Sequence, residues 1–474
     1  MLSRRIGRRG LASARARLDH DLTKTRLSAA PDSMKKTAMA KKKQVRLAIN
    51  LLATGRHNAS WKTLPSPEKL STDIDTFIEI AKIAERGKLD GIFLADGHAG
   101  VGEESFSRPF RSLAPSVLLS TLAAHTKHIG LVSTSPALYG NPATLAREIA
   151  SLDHVSKGRA AWNIITSQGD ELIKIFGVES ALSQAEKYDK ADEFVRIVTQ
   201  LWDSLPPEAL VADKASGTYI DKARTRPINH RGTYYRSAGL LSVPGYDGKR
   251  PVLLQAGASA LSKQFGSKWA DALFTSHWIK HQAQEFYRDV KQLAAGVWHR
   301  DPEKLIVVPG VYPVLGSTEA EAVARKVELD ELLDLEQIKG RLAEQLDVGP
   351  SVLDLTKPLP YDKIPLDNPT KDTAILRRAK LVEDARARNL STKQVLLNHV
   401  TGGHRVVVGT PQQVADDLLE WIDEDACDGF NFNIDRFIDG LEHLVDWLVP
   451  ELQHRGRFRK EYESTTFRGN LGIA

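Results

Sequence analysis

The chain has 474 residues, of which 42% are hydrophobic and 26% are charged, with one cysteine and a formal net charge of +5. Ordinary apolar content and a single cysteine exclude a protein that is disordered as a whole, a disulfide-stapled secreted module and a collagen-like fibre. No run approaches the roughly 18 apolar residues that a membrane-spanning helix needs, so no membrane partner is predicted. Cys427 stands alone without metal-ligand spacing around it, so no metal site is predicted either.

The basic excess lies at the start of the chain. Residues 1–43 hold 13 Lys and Arg against 3 Asp and Glu, whereas the rest of the chain holds 52 against 57. Three interpretations remain open: a mitochondrial transit peptide, an arm for nucleic acid, or an extension without function upstream of a second start at Met34. The last is favoured, which predicts a cytoplasmic protein without a nucleic-acid partner. A transit peptide over residues 1–33 would instead place it in the mitochondrial matrix.

From Val45 onward, short apolar runs alternate with helical stretches, the pattern that βα units produce. The predicted helices of the first half are 72–87, 115–126, 142–155 and 186–202. The predicted strands are 45–52, 91–95, 129–133, 159–165, 252–256, 272–275, 306–314 and 429–434. Eight strands favour a closed parallel barrel over an open doubly wound sheet, which more often has about five or six.

The sequence therefore predicts an α/β fold, a (β/α)8 barrel of the TIM type, as one domain over residues 44–474. Two stretches do not fit the alternation. Residues 204–249 are rich in Pro and Gly and predict an inserted hairpin, and residues 329–398 are charged and interrupted by prolines, which predicts a second insertion.

In such barrels the functional residues follow the carboxyl ends of the strands. Asp96 follows the second strand, and it is interpreted either as a helix cap or as a ligand-binding carboxylate or base. Thr134 lies where the third strand turns polar. Ser259 follows the fifth strand and Gly257, either as an ordinary helix N-cap or as part of a phosphate-binding turn. The dinucleotide, phosphate-loop, zinc-protease and nucleophile-elbow signatures are absent from the sequence.

Several segments resemble the bacterial-luciferase-like flavin monooxygenases, within the branch that contains nitrilotriacetate, EDTA and dibenzothiophene-sulfone monooxygenases. They are FLADG at 93–97, the long run from IGLVSTSPALYG to WNIITS at 129–167, KYDKADEFVRIVTQLWDS at 187–204, PVLLQAGAS at 251–259, and GTPQQVADDLLEWIDEDACDGFNF at 409–432.

The resemblance implies a luciferase-like barrel that binds FMN without a covalent bond, as FMNH2 delivered by a separate NAD(P)H:flavin reductase. O2 would be the co-substrate, and a C4a-(hydro)peroxyflavin would oxygenate a small organic molecule, with cleavage of a C–N or C–S bond. Relatives of this kind are commonly homodimers. Two alternatives stay open: a deazaflavin-dependent hydride transfer on the same barrel, and a flavin-binding protein that has lost catalysis.

Carried over residue by residue, the resemblance places flavin contacts at Asp96, Thr134, Tyr188 and Ser259. The branch usually has a histidine four positions before the tyrosine, where this chain has Gln184, which can donate a hydrogen bond but carries no positive charge. His57, in the loop after the first strand, and Asn163, on the fourth strand, are the candidate catalytic residues. His57 is also interpreted as an ordinary loop histidine.

Overall fold

The computed structural model describes residues 43–52, 54–96, 109, 113–166, 174–177, 182–366, 372–399 and 404–474. The basic segment 1–42 thus lies outside the described residues. Within them, eight parallel strands form a barrel: β1 (Arg46–Asn50), β2 (Gly91–Leu94), β3 (Gly130–Pro136), β4 (Ala160–Ile165), β5 (Val252–Ala256), β6 (Ala272–Thr275), β7 (Ile306–Leu315) and β8 (Gly429–Phe432). Each pairs with the next along the chain, and β8 returns to β1, so the barrel is closed and the predicted fold is confirmed.

The helices pack around and between these strands. They are α1 (Pro67–Leu70), α2 (Ile74–Arg86), α3 (Pro115–His125), α4 (Pro142–Ser156), α5 (Gln184–Ser204), α6 (Ala260–Trp269), α7 (Lys280–Gly296), α8 (Glu319–Glu331), α9 (Leu335–Leu346), α10 (Asp372–Ala387), α11 (Thr392–His399), α12 (Pro411–Asp423), α13 (Asp439–His443), α14 (Val449–His454) and α15 (Phe467–Asn470). In the part of the chain that the structure describes, none of them has the length and apolar character to cross a membrane.

Two local differences from the sequence prediction have clear causes. Helix α5 begins two residues earlier than predicted, because Ser183 and Glu186 form a capping box that starts the helix at Gln184. A further parallel strand, Arg405–Gly409, was not predicted, and it pairs with the second half of β7 beyond the end of β6. The eight predicted strands already complete the barrel without this strand.

The amino-terminal end of the barrel is held by aspartates that precede strands. Asp90 accepts a hydrogen bond from the backbone of Leu47 at 2.6 Å, and Asp271 accepts one from Leu253 at 2.9 Å. The C-terminal segment binds the same carboxylates, since Arg459 pairs with Asp90 and Arg468 with Asp271. These carboxylates thereby connect the starts of the barrel strands to the C-terminal segment.

The same C-terminal segment fills the barrel at this end. Phe467, Leu471 and Ile473 are buried in one cluster with interior residues of the strands, among them Val132. A Cβ on Gly130 would lie 2.3 Å from the Phe467 ring, so only glycine leaves room for it. The amino-terminal end is therefore packed with apolar side chains.

The two irregular stretches contain structure of their own. Residues 204–249 hold two antiparallel hairpins, where one was predicted: Leu210–Asp213 with Thr218–Ile220, and Ile228–Arg231 with Arg236–Gly239. Helices α9, α10 and α11 lie in the second stretch and share a separate hydrophobic cluster, which includes Leu342, Leu346, Leu381 and Leu396.

Candidate active site at the barrel mouth

Thr134 and Asn163 meet inside the carboxyl end of the barrel. Strands β3 and β4 pair these two residues directly, so that both side chains point the same way. The Asn163 Nδ2 donates to Thr134 Oγ1 at 3.0 Å, and each residue is only 2% exposed. Among the described residues, the Asn163 Oδ1 has no hydrogen-bond partner.

Three more asparagines lie on or just after strands β1 and β8. Asn50, at the end of β1, donates to Asn433 Oδ1 at 3.0 Å, and Asn431 lies on β8. All three are buried, and within the described part of the chain the Oδ1 atoms of Asn50 and Asn431 lack a hydrogen-bond partner. A buried polar atom without a partner costs about 1–3 kcal/mol, so a group of them indicates a place for water or a ligand.

The N-terminus of α6 lies beside the mouth, because this helix begins four residues after β5. Ser259 caps α6 by accepting a hydrogen bond from the backbone of Ser262 at 3.2 Å. Gly257 has φ +145°, and a Cβ there would lie 2.4 Å from Ser262 Oγ, so this turn requires glycine. Tyr188, in the first turns of α5, packs its ring on Phe265 of α6 with 5.6 Å between centroids. The first turns of α5 thus pack on the middle of α6, and the N–H groups at the start of α6 suit an anion.

The remaining predicted flavin contacts are less enclosed. Gln184 is exposed at the first position of α5. Asp96 is half-buried two residues beyond β2. The structure thus brings Thr134 to Asn163, and Tyr188 to the helix that Ser259 begins, but it gives no direct contact between these two pairs.

His57 has a different environment from the one expected of a proton donor. Its ring is buried, with Nδ1 accepting from the backbone of Ala59 at 3.1 Å and Nε2 lying 3.2 Å from Asp330 Oδ1. The Ala59 bond makes Nδ1 the acceptor, so Nε2 carries the hydrogen and donates it to Asp330 of α8. Both nitrogens are therefore engaged, and this geometry favours anchoring of the loop after β1 over direct proton transfer.

One histidine at the mouth was missed by the sequence reasoning. His277 lies two residues beyond β6 and is 4% exposed, and the described residues offer no hydrogen-bond partner to either ring nitrogen. Burial, followed by the charges of Lys380 and Lys263, lowers the pKa of His277 to about 3, so the ring is neutral. The signal was available, since the residue follows a barrel strand.

The geometry fits a flavin in two respects. Amide groups inside the mouth complement a ring edge that carries alternating carbonyl and N–H groups, and the N-terminus of α6 suits a phosphate. Below the asparagines, Phe93 and Phe274 close the interior with ring centroids 5.3 Å apart. A flat apolar ring could rest on such a floor while its polar edge meets the amides.

The chain is similar in sequence and in structure to known proteins. A family profile described as luciferase-like monooxygenase matches residues 52–425. N-acetyl-S-(2-succino)cysteine monooxygenase of Bacillus subtilis (strain 168) is 40% identical over 92% of this chain and 98% of its own length. Nitrilotriacetate monooxygenase component A of Aminobacter aminovorans is 36% identical over the same shares of the two chains. The solved structure of a riboflavin lyase with modified FMN superposes with a TM-score of 0.78 at 27% identity, covering 91% of this chain and 96% of that one.

Proposed function

The chain belongs to the luciferase-like monooxygenase family, and we propose that it uses reduced FMN and O2 to oxygenate a small carboxylate-bearing molecule at a C–S or C–N bond. As a member it is a flavin-dependent monooxygenase; the form of the flavin, the reductase and the substrate are parts of the proposal. The observation that carries it is the set of buried, unpartnered amide oxygens of Asn50, Asn163 and Asn431 in the barrel mouth.

In this proposal the flavin ring lies against Thr134 and Asn163. The phosphate would be held by backbone N–H groups at the start of α6, next to Ser259, with Tyr188 and Gln184 contributing from α5. Asp96 would bind the ring or the ribityl chain from the end of β2. Bound reduced FMN would supply the two electrons that activate O2.

The chain's own residues would position the reactants and exclude water. The Phe93 and Phe274 rings and the apolar amino-terminal plug close the barrel from below, so water would reach the ring only from the mouth. His57, fixed by Ala59 and Asp330, would hold the loop after β1 in place. One oxygen atom would enter the substrate and the other would leave as water.

Two features support a separate reductase. The sequence has no dinucleotide-binding fingerprint, and the Aminobacter relative is named component A, which implies a second component. We also expect a homodimer, which light scattering of the purified protein would test.

The substrate class follows from the chemistry of the relatives' substrates. A succinylated cysteine carries a thioether flanked by carboxylates, and nitrilotriacetate carries an amine with three carboxylate arms. Oxygenation of the carbon beside sulfur or nitrogen would give a product that collapses to a carbonyl compound and a free thiol or amine.

The test supplies FMN, NADH and a generic flavin reductase under isotopically labelled O2. N-acetyl-S-(2-succino)cysteine, nitrilotriacetate and dibenzothiophene sulfone are compared, with carbonyl products trapped as they form and analysed by mass spectrometry. We expect one labelled oxygen atom in the product of a carboxylate-bearing substrate and none when the reductase is omitted. Product formation without O2 from a reduced deazaflavin would favour the hydride-transfer alternative, and flavin binding without turnover of any compound would favour the non-catalytic one.

A further inference from the structure

His277 has a buried imidazole ring that is suited to bind a ligand. Its ring packs on Phe286 of α7 with 5.2 Å between centroids, and the residue is 4% exposed. A neutral imidazole presents one N–H donor and one acceptor, and within the described residues neither nitrogen is bonded. Leaving both unmet in a buried place is unfavourable, so the ring is suited to donate to a bound group.

The ionic groups that act on His277 are cationic. Lys263 of α6 pairs with Asp289 of α7 at 2.6 Å, which offsets its charge. Lys380 of α10 is half-buried, and burial lowers the pKa of its ammonium group while the charge of Glu383 raises it. Glu383, one turn further along α10, accepts a hydrogen bond from Gln282 of α7 at 2.7 Å and faces His281 at 3.6 Å, which places this part of α10 against the start of α7, just after His277. The charges that act on His277 itself are those of the two lysines.

These residues come from three elements that meet at the barrel mouth. The backbone of Lys263 donates to Ser259 at 2.8 Å, which places it one turn beyond the predicted phosphate turn. Trp278 packs against the hydrophobic cluster of the second insertion, to which α10 belongs. Phe274, three residues before His277, points into the barrel interior.

We propose that His277, Lys263 and Lys380 form a subsite for a carboxylate group of the substrate, with Lys380 supplying positive charge from α10 of the insertion. This inference rests on the proposed function, because it names where the carboxylate-bearing substrate binds. The anion could also be the FMN phosphate, and the experiment separates the two.

The variants are Lys380→Gln, which removes the charge, Lys380→Arg, which keeps it, and His277→Asn. Lys363→Gln is the matched control, because Lys363 is an exposed lysine of the same insertion. We expect Lys380→Gln to raise KM for the carboxylate-bearing substrate about tenfold, as for loss of a charge-assisted hydrogen bond. Lys380→Arg and the control should stay within about twofold of the parent enzyme, His277→Asn should raise KM, and the Kd for FMN should not change in any of them.

A second measurement works without turnover. Calorimetric titration of the FMN-loaded protein with succinate and with nitrilotriacetate should give binding that Lys380→Gln weakens and Lys363→Gln does not. Such binding without oxygenation of any compound would reject the proposed function and support the subsite. A weakened Kd for FMN with unchanged anion binding would assign the cluster to the phosphate, and no change in either quantity would also overturn the proposal. If Lys380→Gln fails to give the parent circular dichroism spectrum, His277→Asn decides by the same two measurements.

Discussion

The two ends of the barrel use the same eight strands but treat buried polar groups differently. At the amino-terminal end, the Arg159 guanidinium donates five hydrogen bonds, to Ser156, Thr126, Ile129 and Ala123, and among the described residues there single atoms of larger groups, such as His128 Nδ1 and Arg459 Nη1, lack a partner. At the carboxyl end, the amide oxygens of three buried asparagines and both ring nitrogens of His277 have no partner in the described part of the chain.

The difference separates stability from binding. Satisfied polar groups and a packed apolar plug lower the free energy of the folded state, whereas unsatisfied ones raise it unless a ligand completes them. Substitutions at the amino-terminal end should therefore change the free energy of unfolding and leave ligand affinity unchanged. Substitutions at the carboxyl end should change ligand affinity and leave the free energy of unfolding nearly unchanged.

The largest effect is expected for Phe467→Ala at the plug. Removing a buried aromatic side chain costs about 3–5 kcal/mol, because contacts are lost and a cavity remains among Gly130, Val132 and their neighbours. Denaturant unfolding should show this loss, while FMN affinity at low temperature should stay close to that of the parent. Leu240→Ala, at a residue 42% exposed, is the control and should change stability by less than about 0.5 kcal/mol. A large fall in FMN affinity in folded Phe467→Ala would contradict the assignment of stability to the amino-terminal end and of binding to the carboxyl end.

Asp153 is a buried carboxyl group at the amino-terminal end of the barrel, beside the start of β4. Burial raises its pKa to about 7, and the Ala160 N–H bond at 3.2 Å offsets this only in part. In the unfolded chain the carboxyl loses its proton near pH 4, whereas the folded protein keeps it until about pH 7. Stability from this group therefore falls as pH rises from about 4 to 7 and is constant above.

Asp153→Asn imitates the protonated carboxyl at every pH. We expect the variant to match the parent at pH 4 and to exceed it at pH 8, by up to about 4 kcal/mol, since one pKa unit corresponds to about 1.4 kcal/mol. Urea unfolding at pH 4, 6 and 8 measures the difference, and Asp362→Asn in the exposed part of the second insertion is the control. A difference between variant and parent that does not depend on pH would show that the pKa of this carboxyl is the same in the folded and the unfolded chain.

At the mouth, Asn163→Leu should change ligand affinity more than stability. It removes the Nδ2 bond to Thr134 but also an amide oxygen that is buried without a partner, so the two effects offset and the free energy of unfolding should change by less than about 1 kcal/mol. Loss of hydrogen bonds to the flavin should weaken FMN binding about tenfold, measured by fluorescence titration. Unchanged FMN affinity together with lost stability would place Asn163 in the structural group instead.

The sequence predicted the barrel because its strands are buried on both faces and therefore appear as short apolar runs between amphipathic helices. It missed the strand Arg405–Gly409, although VVV is such a run, because eight strands already close a barrel. The two hairpins were merged into one, since turn-rich segments with exposed strands give weak periodicity.

Site residues on strand ends were accessible in the same way. Thr134 and Asn163 could be placed at the mouth from strand position alone, and the family resemblance supplied the flavin. His57 could not be judged, because its bond to Asp330 joins residues that are far apart in sequence. The partnership of His277 with Lys380 also depends on how an insertion folds back on the barrel, which local patterns do not encode.

The smallest effect is expected at Gln184, where relatives of the implied branch usually have histidine. Gln184 is exposed at the first position of α5, so Gln184→His should leave stability within about 0.5 kcal/mol of the parent. A histidine near the phosphate would add a positive charge only when protonated, with an ordinary pKa near 6.5, and solvent screens an exposed pair to about 0–1 kcal/mol. FMN binding should therefore tighten by up to about fivefold at pH 5.5 and by less than about twofold at pH 8. Equal Kd values for FMN in variant and parent at pH 5.5 would show that residue 184 does not face the phosphate, which would then depend on the N-terminus of α6 alone.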